Sequence, residues 1–323
     1  AFSGTARAQN FYEGKTVTIL VGLSAGGNYD YYARFLSEFL GKHIPGNPTV
    51  IVQNKPGAGS RSAANYTYAA APKDGTMMVM TLDTLPLYQG LKGKGVRFDL
   101  TKVGWIGNMA ELTTAAVVWH NSPAKTVEQL SEKQVVFGST GTSSGTYMIP
   151  TLMNSVLGTK IKVVTGFPGT NQINVAMERG EVHGRAGGAW ANFRIQKANW
   201  LRDGKIIPLV QIGLSKAEGL ENVPLLTELA KTPDAKKLAT LLSSASAFSR
   251  APWVPPEVPA ERLEILRKAF DDTMKDPAFL AAAEKRKILI SPVTGKDLEV
   301  QIKDALDLSP ELVAEARAVL GMK

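Results

Sequence analysis

The stretch TVTILVGLSAGGNYDYYARFLSEFLGK, residues 16–42, decides the fold class. Residues 16–21 are a short β-branched and aliphatic run, which is typical of a buried strand. A glycine-rich turn follows, and apolar residues then recur at helical spacing through residues 30–42. A strand, a turn and a helix in this order begin the βαβ unit of a parallel sheet.

The same alternation continues along the chain. Strand-like apolar runs lie at residues 49–52, 76–81, 115–119, 135–137, 161–165 and 206–212, and helical patterns lie at residues 146–157, 172–179 and 260–275. Ser309 followed by Pro310 predicts the start of a last helix. Residues 246–256 are rich in proline and are expected to form a return strand.

We therefore predict an α/β protein of two lobes with mixed, mostly parallel sheets joined by two hinge strands. Lobe 1 is predicted to comprise residues 11–116 plus 246–323, and lobe 2 residues 117–245. Residues 6–9, Ala-Arg-Ala-Gln, resemble the end of a secretory signal, so we expect a periplasmic protein whose signal peptide is cleaved. The alternative is an N-terminal tail without a targeting role.

Composition excludes several classes of function. The 323 residues carry a net charge of +8, but Lys and Arg are spread along the chain and are not interleaved with aromatic residues. Nucleic-acid binding is therefore not expected, and the charge indicates a general field that favours anions. Cysteine is absent, and the three histidines are far apart in sequence. We expect neither a metal site nor a cofactor.

The turn after the first strand is the first candidate site. Backbone N–H groups at a helix start, together with the positive end of the helix dipole, suit an anion, and Gly26 and Gly27 allow a ligand to approach the backbone closely. The carboxylate of Asp30 would repel an anion unless it faces away. It could instead form a surface ion pair with Arg34 or cap the helix start.

A second turn of this kind, residues 138–145, follows the strand at residues 135–137 and adds small hydroxyl side chains. Ligands of open α/β sheets bind outside the carboxyl ends of the strands. We therefore expect the two turns, one in each lobe, to face one another across a cleft.

Residues 141–145 also match the G-x-S-x-G pattern of a serine hydrolase with Ser143 as the nucleophile. This mechanism needs an acid and then a histidine downstream. The only later histidine is His183, and Glu178 and Glu181 lie within about one helical turn of it. A hydrolase is kept as the alternative function, and turnover of simple esters that disappears in Ser143→Ala would identify it.

Two further segments could line a pocket. Residues 57–62 begin like a dinucleotide-binding motif but lack its third glycine, so we interpret them as a tight turn. Trp190 could form an apolar wall, with core packing as the alternative. Arg185 could bind a carboxylate, with a solvated side chain as the alternative.

Taken in order, these segments resemble the solute-binding proteins of tripartite tricarboxylate transporters, the Bug or TctC-like family. The resemblance extends from about Tyr12 to the last helix. It is carried by the segments GGNYDYYAR (26–34), NKPGAG (54–59), APKDGT (71–76), GSTGTSS (138–144), FPGT (167–170), GEV (180–182) and VPLLTE (223–228). The chain departs from the family pattern before Gly26 and at Phe167.

The resemblance implies a type II periplasmic-binding-protein fold that holds a carboxylate between two glycine-rich turns. It implies a solute-binding protein, not an enzyme, that delivers a small carboxylate, a dicarboxylate or an aromatic acid, to membrane transporter subunits. A stand-alone anion sensor would lack that partner. We expect a monomer. The candidate ligand-binding residues are Ser24, Ala25, Gly26, Gly27, Asn28, Tyr29, Asp30, Thr81, Asp83, Ser139, Thr140, Gly141, Thr142, Ser143, Ser144, Phe167, Gly169 and Trp190.

Overall fold

The structure is a computed structural model that describes residues 11–322, so the signal-like segment at residues 6–9 lies outside the described residues. The chain forms two compact units. Unit 1 comprises residues 11–83, 95–111 and 248–304, and unit 2 comprises residues 84–94, 112–247 and 305–322. Each unit is built around one five-stranded sheet.

The strands are short, and nearly all of them lie in these two sheets. They are β1 (Thr16–Val21), β2 (Thr49–Asn54), β3 (Met77–Met80), β4 (Gly104–Trp105), β5 (Gly107–Asn108), β6 (Thr114–Trp119), β7 (Val135–Ser139), β8 (Ile161–Thr165), β9 (Gly184–Arg185), β10 (Ile206–Ile212), β11 (Pro252–Val254) and β12 (Val293–Thr294). Strands β5 and β12 pair only with each other.

Helices alternate with these strands along most of the chain. They are α1 (Asn28–Leu40), α2 (Arg61–Ala70), α3 (Leu85–Gly90), α4 (Val127–Glu132), α5 (Gly145–Leu157), α6 (Thr170–Glu178), α7 (Trp190–Gln196), α8 (Ala198–Arg202), α9 (Leu226–Leu229), α10 (Pro233–Ser243), α11 (Ala260–Lys275), α12 (Pro277–Lys285), α13 (Gly295–Leu306) and α14 (Pro310–Val319). Two 3₁₀ turns, Gly41–His43 and Ser244–Phe248, complete the set.

The sheet of unit 1 has the strand order β2-β1-β3-β11-β4. Strands β2, β1 and β3 run parallel, and β11 is antiparallel to β3. In β1 every residue after Thr16 is buried, as expected for a central parallel strand that is covered on both faces. The carboxyl ends of β1, β2 and β3 therefore lie at one edge of this sheet.

The sheet of unit 2 has the order β10-β6-β9-β7-β8. Strands β8, β7 and β9 run parallel, while β6 is antiparallel to both β9 and β10. Written from the other edge, the order is β8-β7-β9-β6-β10, which corresponds to β2-β1-β3-β11-β4 in unit 1. In both sheets three parallel strands are followed by one antiparallel strand and then by a last strand. Each unit thus has a first strand, β1 or β7, that enters a turn and then a helix.

The mixed α/β fold class predicted from the sequence is confirmed, and several elements have the predicted bounds. Strands β1, β8 and β10 and helix α11 match the predicted ranges. Helix α1 starts and ends two residues earlier than expected. The 3₁₀ turn Gly41–His43 follows its end at Leu40, and glycine is needed at residue 41 because a Cβ there would lie 2.5 Å from the carbonyl oxygen of Pro48. Ser309 caps α14 as predicted, accepting a hydrogen bond from the Leu312 amide at 3.2 Å.

The compact units divide the chain differently from the expected lobes, since residues 84–94, 112–116, 246–247 and 305–322 lie in unit 2. Residues 84–94 and the last helix were assigned to lobe 1, whereas the structure packs both with unit 2. Apolar contacts explain this: Leu87 of α3, Leu152 of α5 and Ala316 of α14 line a common apolar pocket. The side chain of Arg317 also donates a hydrogen bond to the carbonyl of Leu91 at 2.8 Å.

Within the described part of the chain, no helix is long and apolar enough to cross a membrane. The same residues contain no group of three acidic or histidine side chains that could hold a metal ion.

Candidate functional site

Turn 1, residues 22–27, joins β1 to α1 in unit 1. Gly26 has a φ of +76°, in the left-handed region that glycine adopts without strain. Gly22 is needed for a different reason, because a Cβ there would lie 1.7 Å from the Ser60 hydroxyl oxygen. Ala25 and Gly26, at the tip of the turn, are exposed, whereas Gly27 and the start of α1 are buried.

The carboxylate of Asp30 holds turn 1 in place. It accepts hydrogen bonds from the Gly26 amide at 2.8 Å, from Asn54 Nδ2 at 2.9 Å and from Arg34 Nε at 2.8 Å. Burial by itself raises the pKa of Asp30, but the hydrogen bonds from Arg34, Gly26 and Asn54 outweigh it, and the pKa is lowered. The predicted ion pair with Arg34 is confirmed, and it is buried on one side only: the Asp30 side chain is 3% exposed and that of Arg34 is 50% exposed.

The start of α1 offers backbone donors to an anion. Helix α1 has Gly27 as its N-cap, and within residues 11–322 no side chain caps its first turn. The Gly26 amide, which the sequence suggested as a ligand donor, already donates to Asp30. The capacity for anion binding in unit 1 therefore rests on the amides of residues 28–30 and on the helix dipole.

The segment after β3 lies at the same edge of the sheet. The Asp83 amide donates a hydrogen bond to the Tyr29 hydroxyl at 3.0 Å, which ties this segment to the first turn of α1. The Thr81 hydroxyl accepts a hydrogen bond from Trp253 Nε1 at 3.1 Å. Burial raises the pKa of Tyr29, so this hydroxyl stays protonated. The predicted residues of turn 1, Thr81 and Asp83 thus form one cluster in unit 1.

Arg250 belongs to this cluster, although no sequence pattern predicted a role for it. It lies two residues before β11, and its side chain is 2% exposed. Its guanidinium carbon lies 4.1 Å from the ring centroid of Tyr29 and 4.9 Å from that of Tyr32. A buried positive charge therefore lies beside the first turn of α1.

Turn 2, residues 140–144, joins β7 to α5 in unit 2 and is held by hydroxyl groups. The Thr146 hydroxyl is the centre of this network: it lies 2.6 Å from the Ser144 hydroxyl and 3.0 Å from the Ser139 hydroxyl. It also accepts a hydrogen bond from the Thr140 amide at 3.0 Å. Ser144 caps α5 by accepting from the Thr146 amide at 3.1 Å. These hydroxyls hold the turn together, and their predicted contact with a ligand stays a prediction.

The tip of turn 2 is small and accessible. Gly141 has a φ of +140°, which favours glycine, and Thr142 is exposed. Below the tip, the Thr84 hydroxyl donates to the Ser143 carbonyl at 2.6 Å. Thr84 therefore braces the turn from the segment that precedes α3.

The geometry of unit 2 does not support a nucleophilic Ser143. Nδ1 of His183 accepts a hydrogen bond from the Val136 amide at 2.9 Å, so this histidine lies beside the amino-terminal half of β7. Ser143 lies beyond the carboxyl end of the same strand and is fully buried. The general base that a hydrolase requires is therefore at the wrong end of the strand.

Arg185, on β9, is 2% exposed, so the alternative of a solvated side chain is wrong. Its Nε donates to Asn174 Oδ1 at 2.8 Å, and its Nη1 donates to the Gly187 carbonyl. Its guanidinium carbon lies 4.5 Å from the ring centroid of Phe193. Burial lowers the pKa of Arg185 to about 9, so it remains charged at neutral pH. Unit 2 thus also contains a buried positive charge.

The remaining predicted residues lie at the periphery of turn 2. The Phe167 amide donates to the Ser139 carbonyl at 3.2 Å, and Gly169 is the N-cap of α6. Trp190 is buried in an apolar cluster with Trp119 and Trp200, and its Nε1 donates to the Glu218 carbonyl at 3.2 Å. Core packing accounts for Trp190, and its contact with a ligand remains a prediction.

Four residues that organise the turns were not among the predicted site residues: Asn54, Thr84, Thr146 and Arg250. One of them could have been found. Asn54 ends a strand parallel to β1, with Val21 as its register partner, so a carboxyl-edge argument places it beside turn 1. The other three depend on contacts between residues far apart in sequence or on the conformation of a loop.

The chain matches the model of the family described as "Tripartite tricarboxylate transporter family receptor" over residues 33–316. An Agrobacterium vitis protein described as "UPF0065 protein in the TAR-I ttuE-ttuC' intergenic region" is 28% identical over 326 residues, covering 96% of this chain and 87% of that protein. A Cupriavidus necator protein described as "UPF0065 protein in gbd 5'region" is 26% identical over 237 residues, covering 71% and 68% of the two chains.

Solved structures share the fold. The "periplasmic binding protein BugD" has a TM-score of 0.74 at 18% identity, covering 97% of this chain and 99% of that one. Rpa4515 of R. palustris, described with adipate, has a TM-score of 0.72 at 18% identity, covering 96% and 98%. MatC from Rhodopseudomonas palustris, described with bound malate, has a TM-score of 0.70 at 17% identity, covering 95% and 99%. These similarities confirm the periplasmic-binding-protein fold.

Proposed function

This chain belongs to the tripartite tricarboxylate transporter receptor family, and we propose that it captures a small carboxylate for a transporter of that type. As a member of this family it is a solute-binding protein and not an enzyme. The proposed ligand is a dicarboxylate or an aromatic acid. Two structural relatives described with adipate and malate support this ligand class.

The observation that carries the proposal is the uncapped start of α1 behind turn 1. Its amides, with the positive end of the helix dipole, can bind a carboxylate without any formal charge on the protein. Turn 2 occupies the equivalent place in unit 2, between the first strand and the helix that follows it. We propose that residues of both turns bind the ligand.

A thermal-shift screen over malate, succinate, adipate, citrate and benzoate tests the ligand class. A ligand at about 100 times its dissociation constant stabilises the folded state by about 2.7 kcal/mol, which is readily measured as a shift in Tm. We expect at least one of these acids to raise Tm, with no effect from the matching neutral amides. A panel in which none of the acids raises Tm would contradict the proposal.

Gly27→Val tests the site itself. Gly27 has a φ of −80°, a backbone conformation that valine also adopts, so the substitution adds a branched side chain at the N-cap of α1. We expect calorimetry to show at least a 100-fold loss of affinity with Tm of the free protein little changed. Ser37→Val, which adds the same side chain further along α1, should bind like the wild type. Equal affinities in the two variants would refute turn 1 as the site.

The proposed partners are membrane transporter subunits, and the proposed location is the periplasm, reached through a cleaved signal peptide. Proteoliposomes that contain the membrane subunits of a tripartite tricarboxylate transporter test the partnership. Uptake of the acid identified in the screen should require this protein and should be lost with Gly27→Val. Uptake that proceeds equally without the protein would refute the proposed partnership.

A further inference from the structure

Arg250 is a buried cation of unit 1. Its side chain is 2% exposed, yet none of the ion pairs formed among residues 11–322 includes it. Within the same residues its guanidinium makes one hydrogen bond, from Nη1 to the Ser249 carbonyl, and Nε is buried without a partner. A guanidinium has five N–H donors, and burying its charge is costly unless it is paired. An unpaired buried cation of this kind calls for an explanation.

Strand register places Arg250 at the edge of the sheet where the candidate site lies. Strand β11 is antiparallel to β3, with Pro252 opposite Met80, the last residue of β3. Arg250 precedes Pro252 by two residues and so lies beyond the carboxyl end of β3, as turn 1 lies beyond that of β1. The Arg250 amide donates to Asn108 Oδ1 at 2.8 Å, and its carbonyl accepts from the Met109 amide at 3.1 Å. The backbone of this arginine is therefore fixed.

Two tyrosines of α1 hold the guanidinium without neutralising it. The ring faces of Tyr29 and Tyr32 attract a cation, but they provide no anionic partner for its N–H groups. Tyr29 belongs to the first turn of α1, whose amides form the proposed carboxylate site. The two features that favour an anion in unit 1, the helix start and Arg250, are therefore linked through Tyr29.

We propose that Arg250 binds a carboxylate of the ligand directly and selects dicarboxylates over monocarboxylates. The inference rests on the proposed function: the amides at the start of α1 take one carboxylate, and the planar fork of Arg250 takes the other. Arg185 provides the contrast. Its Nε and Nη1 donate to Asn174 and to the Gly187 carbonyl, so the Nε of Arg185 has a partner whereas that of Arg250 has none within residues 11–322.

The test is a cycle of two ligands and two proteins measured by calorimetry. Malate, succinate and adipate are each compared with their own monoamide, in the wild type and in Arg250→Gln. In the wild type we expect the monoamide to bind about 10- to 100-fold more weakly, as expected for the loss of a charge-assisted hydrogen bond. Arg250→Gln should weaken the diacid by a similar factor and should bind diacid and monoamide equally. Lys268→Gln, which removes an exposed charge from the same unit, should behave like the wild type.

The outcomes separate this inference from the proposed function. If Arg250→Gln binds the diacid as tightly as the wild type, Arg250 has only a structural role beside the tyrosines, and the proposed function stands. A wild type that binds monocarboxylates better than diacids also overturns the inference alone. A wild type that binds no carboxylate overturns both. If Arg250→Gln does not fold, Arg250→Lys keeps the charge but loses the fork, and it should still weaken the diacid more than the monoamide.

Discussion

Turn 1 and turn 2 occupy equivalent places in two sheets of the same strand order, yet different chemistry holds them. In turn 1 a buried carboxylate, Asp30, gathers donors from Gly26, Arg34 and Asn54. In turn 2 the Thr146 hydroxyl gathers Ser139, Thr140 and Ser144, and no titratable group takes part in this network.

The comparison shows how a carboxylate can lie beside a proposed anion site. Arg34, Asn54 and the Gly26 amide occupy the oxygens of Asp30, so its charge is satisfied within unit 1. A charged network of this kind is strong but depends on pH, whereas hydroxyl networks are weaker and do not titrate near neutral pH. The two turns should therefore respond differently to substitution and to acid.

Asp30→Ala should have the largest effect. It leaves the Gly26 amide and Asn54 Nδ2 without their acceptor and releases Arg34, so turn 1 loses its order. Removing one partner of a buried ionic network costs about 3 kcal/mol, and the affinity for the ligand should fall at least 100-fold. Urea unfolding and calorimetry measure the two effects.

Glu38→Ala is the matched control, since it removes an acid from the same helix. Its partner Arg286 and its own side chain are both well exposed, so the loss should stay below about 1 kcal/mol. Similar losses of unfolding free energy in the two variants would show that Asp30 contributes no more than a surface acid. This result would contradict the proposed difference between the two turns.

Acid should weaken turn 1 and spare turn 2. The pKa of Asp30 is lowered in the folded state relative to its ordinary value of 3.8, so its stabilisation is complete above about pH 4 and is lost as pH falls through the folded pKa. The difference in unfolding free energy between the wild type and Asp30→Asn should therefore shrink below pH 4. Urea titrations from pH 7 to pH 2.5 measure it, and a difference that is constant over this range would contradict the assignment.

Sequence periodicity predicted much of the fold because its central strands are buried on both faces. The run Thr16–Val21 is such a strand, and its predicted bounds are confirmed. The division of the chain was harder to predict. Residues 84–94 and α14 join unit 2 through side-chain contacts such as that of Arg317 with Leu91, which no local pattern encodes.

The sequence predicted the two turns of the candidate site but not the burial of the two arginines. Glycine and small polar residues that follow a strand indicate a turn from the local sequence alone, which is why both turns were predicted. The burial of Arg250 and Arg185 was missed because arginine is mostly exposed in proteins and because its neutral partners are not recognisable in sequence. The sequence suggested Arg185 as a possible carboxylate ligand, and the structure shows that Arg185 in unit 2 and Arg250 in unit 1 are both buried.

Thr146→Val tests whether one hydroxyl holds turn 2. The substitution keeps the shape of the side chain but removes the acceptor of the Thr140 amide and the partner of Ser144. Leaving buried donors unpaired costs about 2 kcal/mol, which urea unfolding would detect. Thr151→Val in the same helix removes a hydroxyl that bonds only to the Tyr147 carbonyl in the preceding turn, and it should cost less than about 1 kcal/mol. Equal losses of unfolding free energy in the two variants would mean that the network around Thr146 stabilises the protein no more than a single local hydrogen bond does.

Thr84→Val should have the smallest effect and should be confined to turn 2. It removes the hydrogen bond of 2.6 Å to the Ser143 carbonyl and costs about 1 kcal/mol, because the remaining hydroxyl network is intact. Hydrogen exchange followed by mass spectrometry should show faster exchange in peptides covering residues 138–150 and no change in those covering residues 22–34. Thr84→Ser keeps the hydroxyl and should exchange like the wild type. Faster exchange in both turns would mean that the two turns are coupled, and it would contradict the prediction that each turn is stabilised separately.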